Sequence, residues 1–214
     1  MLDVQELVTG FKPDKPLLLV DADEVLLRFV ERLEAHLSSC GYELRLTSFQ
    51  LAGNIFELGT GVAVDPGEVK RLIASFFDTC SHDVPLVPGA ADALKILSHT
   101  YNIAVLSNIP GHCRERREQS LIAQGVNLPV LSNSGEKGPV AAQIASLHGA
   151  PVVFIDDLPP QHKSVARHAP DIHRVHFVAD PRLAAMIEKA EHAHVRLNDW
   201  AALTEYLHTH IRSL

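Results

Sequence analysis

Five short apolar runs constrain this chain more than any other feature: LLLV (17–20), IAVL (103–106), LPVL (128–131), VVFI (152–155) and RVHFV (174–178). Each has the length of a strand and is apolar almost throughout, the pattern of a strand covered on both faces. Between the last four lie segments of helical length, CRERREQSLIAQ (113–124), PVAAQIASLHG (139–149) and QHKSVARHA (161–169). A helix between successive buried strands predicts a doubly wound parallel sheet, an α/β Rossmann-like core. Pro139 suits a first helical turn, and Gly125 and Gly149 stand where helices should stop.

Residues 25–87 break that rhythm. VLLRFVERLEAHLSSC runs to Gly41, TSFQLAGNIFEL runs to Gly59, and PGEVKRLIASFF follows the start signal Asp65-Pro66. These predict three helices with no strand between them. PLVPGAADALKIL (85–97) then marks re-entry. The expected organisation is an α/β catalytic core of residues 1–24 and 88–214, with a small inserted α-helical cap, or lid, at 25–87.

In a chain of 214 residues, a net charge of −7 argues against a nucleic-acid partner, whose surface calls for a basic footprint. No apolar run approaches the roughly 18 residues of a membrane span, so no membrane partner is expected. Cys40, Cys80 and Cys113 are odd in number and contain no CxxC, which suits a reducing, cytoplasmic setting. The first fifteen residues lack a basic start and an apolar core, and read as mature sequence.

Ligands of open parallel sheets sit beyond the carboxyl ends of the strands. There LLLV is followed by Asp21 and Asp23, IAVL by Ser107 and Asn108, and VVFI by Asp156 and Asp157. Residues two apart in an extended segment share a side, so Asp21 and Asp23 can face one bound group. Four carboxylates in a small volume call for raised pKa values or a hard cation, and oxygen-only donors favour Mg2+. Any one acid here alone reads as a helix cap or turn former; two pairs with Ser107, all at strand ends, read as a site. Other polar features read as solvated surface: His192 with His194, His208 with His210, the run Arg114, Arg116, Arg117, and Asn54, Glu57, Thr60 and Arg71 in the inserted segment.

DADEV (21–25), SN (107–108), Lys137 before a Gly-Pro helix start, and FIDD (154–157) occur in the order that resembles the haloacid dehalogenase superfamily. The resemblance covers nearly the whole chain. It implies an Asp21 nucleophile that forms an aspartyl-phosphate, and Asp23 as general acid and then base, its backbone carbonyl on the metal. Ser107 and the Asn108 backbone would hold phosphoryl oxygens, Lys137 would offset developing charge, and Asp157, with Asp156, would complete the Mg2+ shell. Where that family commonly has glycine after the second acid, this chain has Glu24, read as favouring the N-terminus of the following helix. Dehalogenating members lack the carboxylate that Asp23 supplies. The expected function is a Mg2+-dependent phosphatase of a small phosphorylated metabolite. Its alternatives are a phosphomutase and a non-catalytic metal-binding phosphoacceptor.

Overall fold

The computed structural model describes residues 3–210. In chain order the elements are α1 (Val4–Thr9), β1 (Leu17–Val20), α2 (Phe29–Ser39), β2 (Tyr42–Leu44), β3 (Ile55–Glu57), α3 (Pro66–Cys80), α4 (Ala90–Leu97) and β4 (Asn102–Ser107). A single 3-10 turn (Gly111–Cys113) leads into α5 (Arg114–Ala123), β5 (Val130–Ser132), α6 (Gly138–His148), β6 (Val152–Asp156) and α7 (Pro159–His168). The chain continues through β7 (His173–Phe177), α8 (Pro181–Ala184), β8 (Val195–Leu197) and α9 (Trp200–His210).

Six strands form one parallel sheet in the order β5-β4-β1-β6-β7-β8. β1 lies at its centre because all four of its residues are apolar and fully buried. Strand alternation sends Leu18 and Val20 to one face and Leu17 and Leu19 to the other. The first face packs on α4 and α9 through Leu94, Leu97, Trp200, Leu203 and Leu207, and the second on α1, α6 and α7 through Leu7, Ala141, Ile144 and Val165. Helices on both faces are what the continuous apolar strands require. The doubly wound parallel core is as expected.

Residues 25–87 differ from expectation: one of the three helices is missing, and two strands, β2 and β3, stand where none was expected. Helices form at α2 and α3, the latter capped by Asp65, which accepts from the backbone N–H groups of Gly67 and Glu68. The stretch 47–58 is not a helix. It is the end of a loop and a strand: β2 and β3 pair antiparallel, with Tyr42 opposite Glu57 and Leu44 opposite Ile55. Gly53, at φ +85°, interrupts any helix there, and the Ile55-Phe56 pair favours a strand. Asn54, 1% exposed, organises the connecting loop: its Oδ1 accepts from Thr47, and its Nδ2 donates to the Ser48 and Gln50 carbonyls.

The chain leaves the sheet through Glu24, the one described residue other than glycine with positive φ, at +60°. That left-handed backbone explains why glycine suits the position, and it costs about 1 kcal/mol for a side chain. The carboxylate offsets the cost. Oε1 accepts from Val30 N–H at 2.7 Å in the first turn of α2, and Oε2 accepts from Asp180 N–H at 3.2 Å. The expected helix-terminus role is thus present, with a second contact to the sheet side. Nearby, Trp200 Nε1 donates to the Val25 carbonyl at 3.0 Å, so α9 holds the same exit.

Burial pushes the Glu24 carboxyl up to about 7. Between its ordinary value and about 7 the folded chain therefore keeps a proton that the unfolded chain releases, and stability is lost as pH rises through that window. Glu24→Gln removes this dependence, which amounts to at most on the order of 3 kcal/mol. In metal-free thermal melts the variant should gain on the wild type between about pH 4.5 and pH 8. Parallel curves for the two proteins would contradict this account of Glu24.

Candidate active site

The candidate site is built around Lys137. Its side chain is 2% exposed, and Nζ lies 2.6 Å from Asp21 Oδ1 and 2.6 Å from Asp156 Oδ2. Lys137 and Gly138 are thus the buried part of an otherwise exposed GEKGP loop. Lys137 N–H donates to Gln161 Oε1 at 2.8 Å, Gln161 Nε2 donates to the Gly135 carbonyl, and Gly138 N–H donates to Ser164 Oγ. A Cβ on Gly138 would lie 2.4 Å from the Ser164 carbonyl oxygen, so glycine alone lets α6 approach α7 this closely. Gln161 and Ser164, which the sequence did not single out, are what place the ammonium.

Parallel register explains the convergence. Val20 stands opposite Val105 on one side and Ile155 on the other, and Asp21 N–H donates to the Ile155 carbonyl. Asp21 and Asp156 thus leave neighbouring strands at one level. Carboxylate oxygens of Asp21, Asp156 and Asp157 lie within 4.8 Å of one another, all buried. Burial raises Asp21 to about 7 against the pull of Lys137, with Asp156 and Asp23 pushing the same way. Asp157 is raised well above the usual carboxylate range by burial and then by Asp156 and Asp21. Burial alone would lower Lys137, but Asp156 and Asp21 outweigh it and hold the ammonium charged.

One ammonium faces three carboxyl groups, more than it can neutralise when all three are ionised. Both Asp156 oxygens are engaged, Oδ2 with Lys137 and Oδ1 with the Leu158 N–H. A buried donor set made only of oxygens fits a hard cation such as Mg2+. Two buried histidines fix the backbone of the acid pair. His176 Nδ1 accepts from Ala190 N–H, so its Nε2 carries the proton and donates to the Asp157 carbonyl at 2.9 Å. His162 Nε2 lies 2.9 Å from the Asp156 carbonyl. Burial lowers both imidazoles, His176 to about 4, which keeps them neutral.

Asp23 turns its side chain elsewhere: Oδ1 accepts from Arg117 Nη1 at 2.6 Å. The expectation that Arg117 lies on a solvated face is wrong, for it is fully buried. Arg116 Nη1 donates to the Asp78 carbonyl, while Arg114 pairs with Glu118. The signal was present in helix spacing, since Cys113, Arg117, Ser120 and Leu121 are all buried at i, i+4, i+7 and i+8. Ser107 Oγ and the Arg117 Nε and Nη2 atoms are buried with no protein partner among the described residues. Buried donors of this kind call for an acceptor. The Asn108 side chain is spent on the loops, donating to the Gly135 carbonyl and accepting from Asn133, which leaves its backbone for any ligand.

A cleft of about 670 Å³ opens between α3 and the loops after β4 and β5, lined by Lys70, Ile73, Phe77, Asn108, Pro110 and Asn133 among others. The polar residues of the inserted segment considered from sequence are absent from its lining. Asn54 holds its own loop, Glu57 accepts from Thr60, and Arg71 pairs with Glu68. Of the histidines read as surface, His194 accepts from Arg174 N–H and stacks on His173.

Lys137→Met should leave three buried carboxylates without their cation. A loss of about 3–5 kcal/mol in folding stability is expected by thermal or denaturant melts. Asp157→Ala should instead raise the melting temperature of the metal-free protein and abolish any rise on adding Mg2+. A destabilised Asp157→Ala that still responds to Mg2+ would contradict the excess-charge account.

No family model matches the sequence, and no curated protein matches it. Solved structures do match. A haloacid dehalogenase-like hydrolase from Streptococcus pneumoniae aligns over 92% of this chain and all of its own, with TM-score 0.62 and 11% identity. A HAD family hydrolase from Deinococcus radiodurans R1, solved with bound phosphate and sodium, covers 89% and 93% of the two chains at TM-score 0.56 and 15% identity. A candidate phosphoglycolate phosphatase from Lactobacillus plantarum covers 90% and 99% at TM-score 0.56 and 13% identity. An L-2-haloacid dehalogenase is matched as well, at 14% identity. With strand order, parallel register and strand-end acids all in place, the chain has the fold of the haloacid dehalogenase-like hydrolases.

Proposed function

We propose that the protein is a Mg2+-dependent phosphatase that hydrolyses a small phosphorylated metabolite through an aspartyl-phosphate on Asp21. The observation that carries this reading is the ammonium of Lys137 bonded to both Asp21 and Asp156 at the end of the central strands. A buried carboxylate held beside a fixed cation is arranged to attack an electron-poor, anionic centre such as phosphorus. Lys137 fixes the Asp21 rotamer in the ground state and offsets charge on the phosphoryl oxygens as the bond forms. Ser107 Oγ, buried without a partner among the described residues, and the Asn108 backbone N–H are donors for those oxygens. Asp21, Asp156 and Asp157, with the residue-23 carbonyl, would hold Mg2+, which when bound supplies charge neutralisation at phosphorus.

Arg117 sharpens the role of Asp23. A guanidinium only donates, so Asp23 Oδ1 remains an acceptor and Oδ2 is the oxygen left to pass a proton to the leaving group and take one from water. The segment 25–87 acts as the cap: α3 forms one wall of the cleft, and its closure would exclude water until the intermediate is ready. A dehalogenase is the competing activity on this fold. The carboxylate at Asp23, held in place by a buried arginine, favours the proton-requiring phosphate ester. A phosphomutase shares every core residue and differs only in what the cleft admits. The protein is proposed to act in the cytoplasm without nucleic-acid or membrane partners; among the described residues no helix is long and apolar enough to cross a membrane.

A screen of phosphorylated metabolites should give phosphate release that needs Mg2+, stops in EDTA and is absent in Asp21→Asn. Release that persists in chelator, or in Asp21→Asn, would overturn the proposal. Among variants, Arg117→Met should depress kcat on an alkyl phosphate by about 10²-fold and act far less on p-nitrophenyl phosphate, whose leaving group needs little protonation. Arg117→Lys should recover part of the loss. Equal losses on both substrates would assign Arg117 a purely structural role.

A further inference from the structure

Away from the carboxylates, a second group of donors gathers where α3 ends against the 3-10 turn after β4. Atoms of Asp78, His112 and Cys113 lie within 4.8 Å of one another. His112 Nε2 is 2.7 Å from Asp78 Oδ1, and Cys113 Sγ donates to the Phe77 carbonyl at 3.5 Å. Asp78 and His112 are more than half exposed, whereas Cys113 is buried beneath them. We propose that Asp78, His112 and Cys113 form a binding site for a soft divalent cation of the Zn2+ class, joining the end of α3 to the Gly111–Cys113 turn.

The donor chemistry selects the ion. A thiolate, an imidazole and a carboxylate make the mixed S, N, O set that Zn2+ takes with a fourth position open to water, and that Mg2+ does not take. Thiolate and carboxylate together balance a divalent charge, so the loaded site is neutral. Ligands on a tetrahedral zinc lie about 3.3–3.8 Å apart, so the three side chains need only draw slightly together. Binding replaces two contacts. The Asp78–His112 bond opens as each turns to the ion, and the Cys113 Sγ–H proton leaves for solvent as the sulfur–metal bond forms, which frees the Phe77 carbonyl. Burial, then Asp78, holds the Cys113 thiol above its ordinary value, so the metal must displace that proton.

The site ties together two segments 34 residues apart in sequence. Phe77 and Gly111 line the 670 Å³ cleft, so the ion would fix the spacing of its walls at one end. This inference is independent of the phosphatase reading.

The test uses the full chain after EDTA treatment and dialysis, with Co2+ as a spectroscopic probe and Zn2+ titrated against a chromophoric chelator. Wild type and Asp157→Ala should both show a thiolate-to-cobalt charge-transfer band, bind one tight equivalent of Zn2+ and melt at a higher temperature with it. His112→Ala, a change at an exposed side chain, should weaken Zn2+ binding by at least about tenfold, and Cys113→Ser should lose the band. No band in the wild type, or a band that survives in Cys113→Ser, would overturn the proposal, as would unchanged Zn2+ affinity in His112→Ala.

Discussion

The ammonium of Lys137 is the interaction on which the rest of this structure depends. Three carboxylates converge at the ends of β1 and β6, and the apolar side chains around them cannot offset their charge. A buried cation with two bonds of 2.6 Å makes their proximity tolerable. The surrounding loops serve that placement: Gln161 and Ser164 hold the backbone at 137–138, and the bare α-carbon of Gly138 permits the approach. His162 and His176 do the same for the carbonyls of the acid pair. On the proposed reading partial compensation is the functional point: Lys137 offsets enough charge for the chain to fold and would leave enough to hold a cation.

A second set of contacts governs how segment 25–87 meets the sheet. Glu24 spans the boundary, with one oxygen on α2 and the other on the Asp180 N–H, and its backbone carbonyl accepts from Ala179. Arg182 reinforces it by pairing with Glu34 of α2 through both terminal nitrogens. On the opposite side of the segment α3 meets the 3-10 turn through the exposed Asp78–His112 pair and the buried Cys113, and borders the open cleft. On the proposed reading, the α3 side is where the cap would close on the cleft and where the proposed metal would restrain it.

Much of this was legible in the sequence. A strand buried on both faces needs an unbroken apolar run, so LLLV, IAVL and VVFI announced themselves, and with them the rim where Asp21, Ser107 and Asp156 emerge. Elements that rely on partners distant in sequence were harder to read. β8 is a half-buried edge of three residues whose Arg196 donates to the Ala184 carbonyl across the chain. The pattern TSFQLAGNIFEL suggests a helix until Gly53 and the buried amide of Asn54 turn it into a hairpin. Arg117 was misread because an arginine on a helix rich in charge is ordinarily solvated; only its place on the buried stripe distinguished it. α9 was not read from the sequence, although Asp199, which accepts from Ala202 N–H, and the stripe of Trp200, Leu203 and Leu207 mark it.

The central claim is that the Lys137-bound carboxylate at the end of β1 is the atom that takes the phosphoryl group. Single-turnover reaction with a labelled phosphorylated substrate, acid quench and peptide mapping addresses it directly. The account predicts an acid-stable label on the peptide carrying Asp21, formed before phosphate appears in solution. A label on any other residue, or product release with no labelled protein at any time, would contradict it.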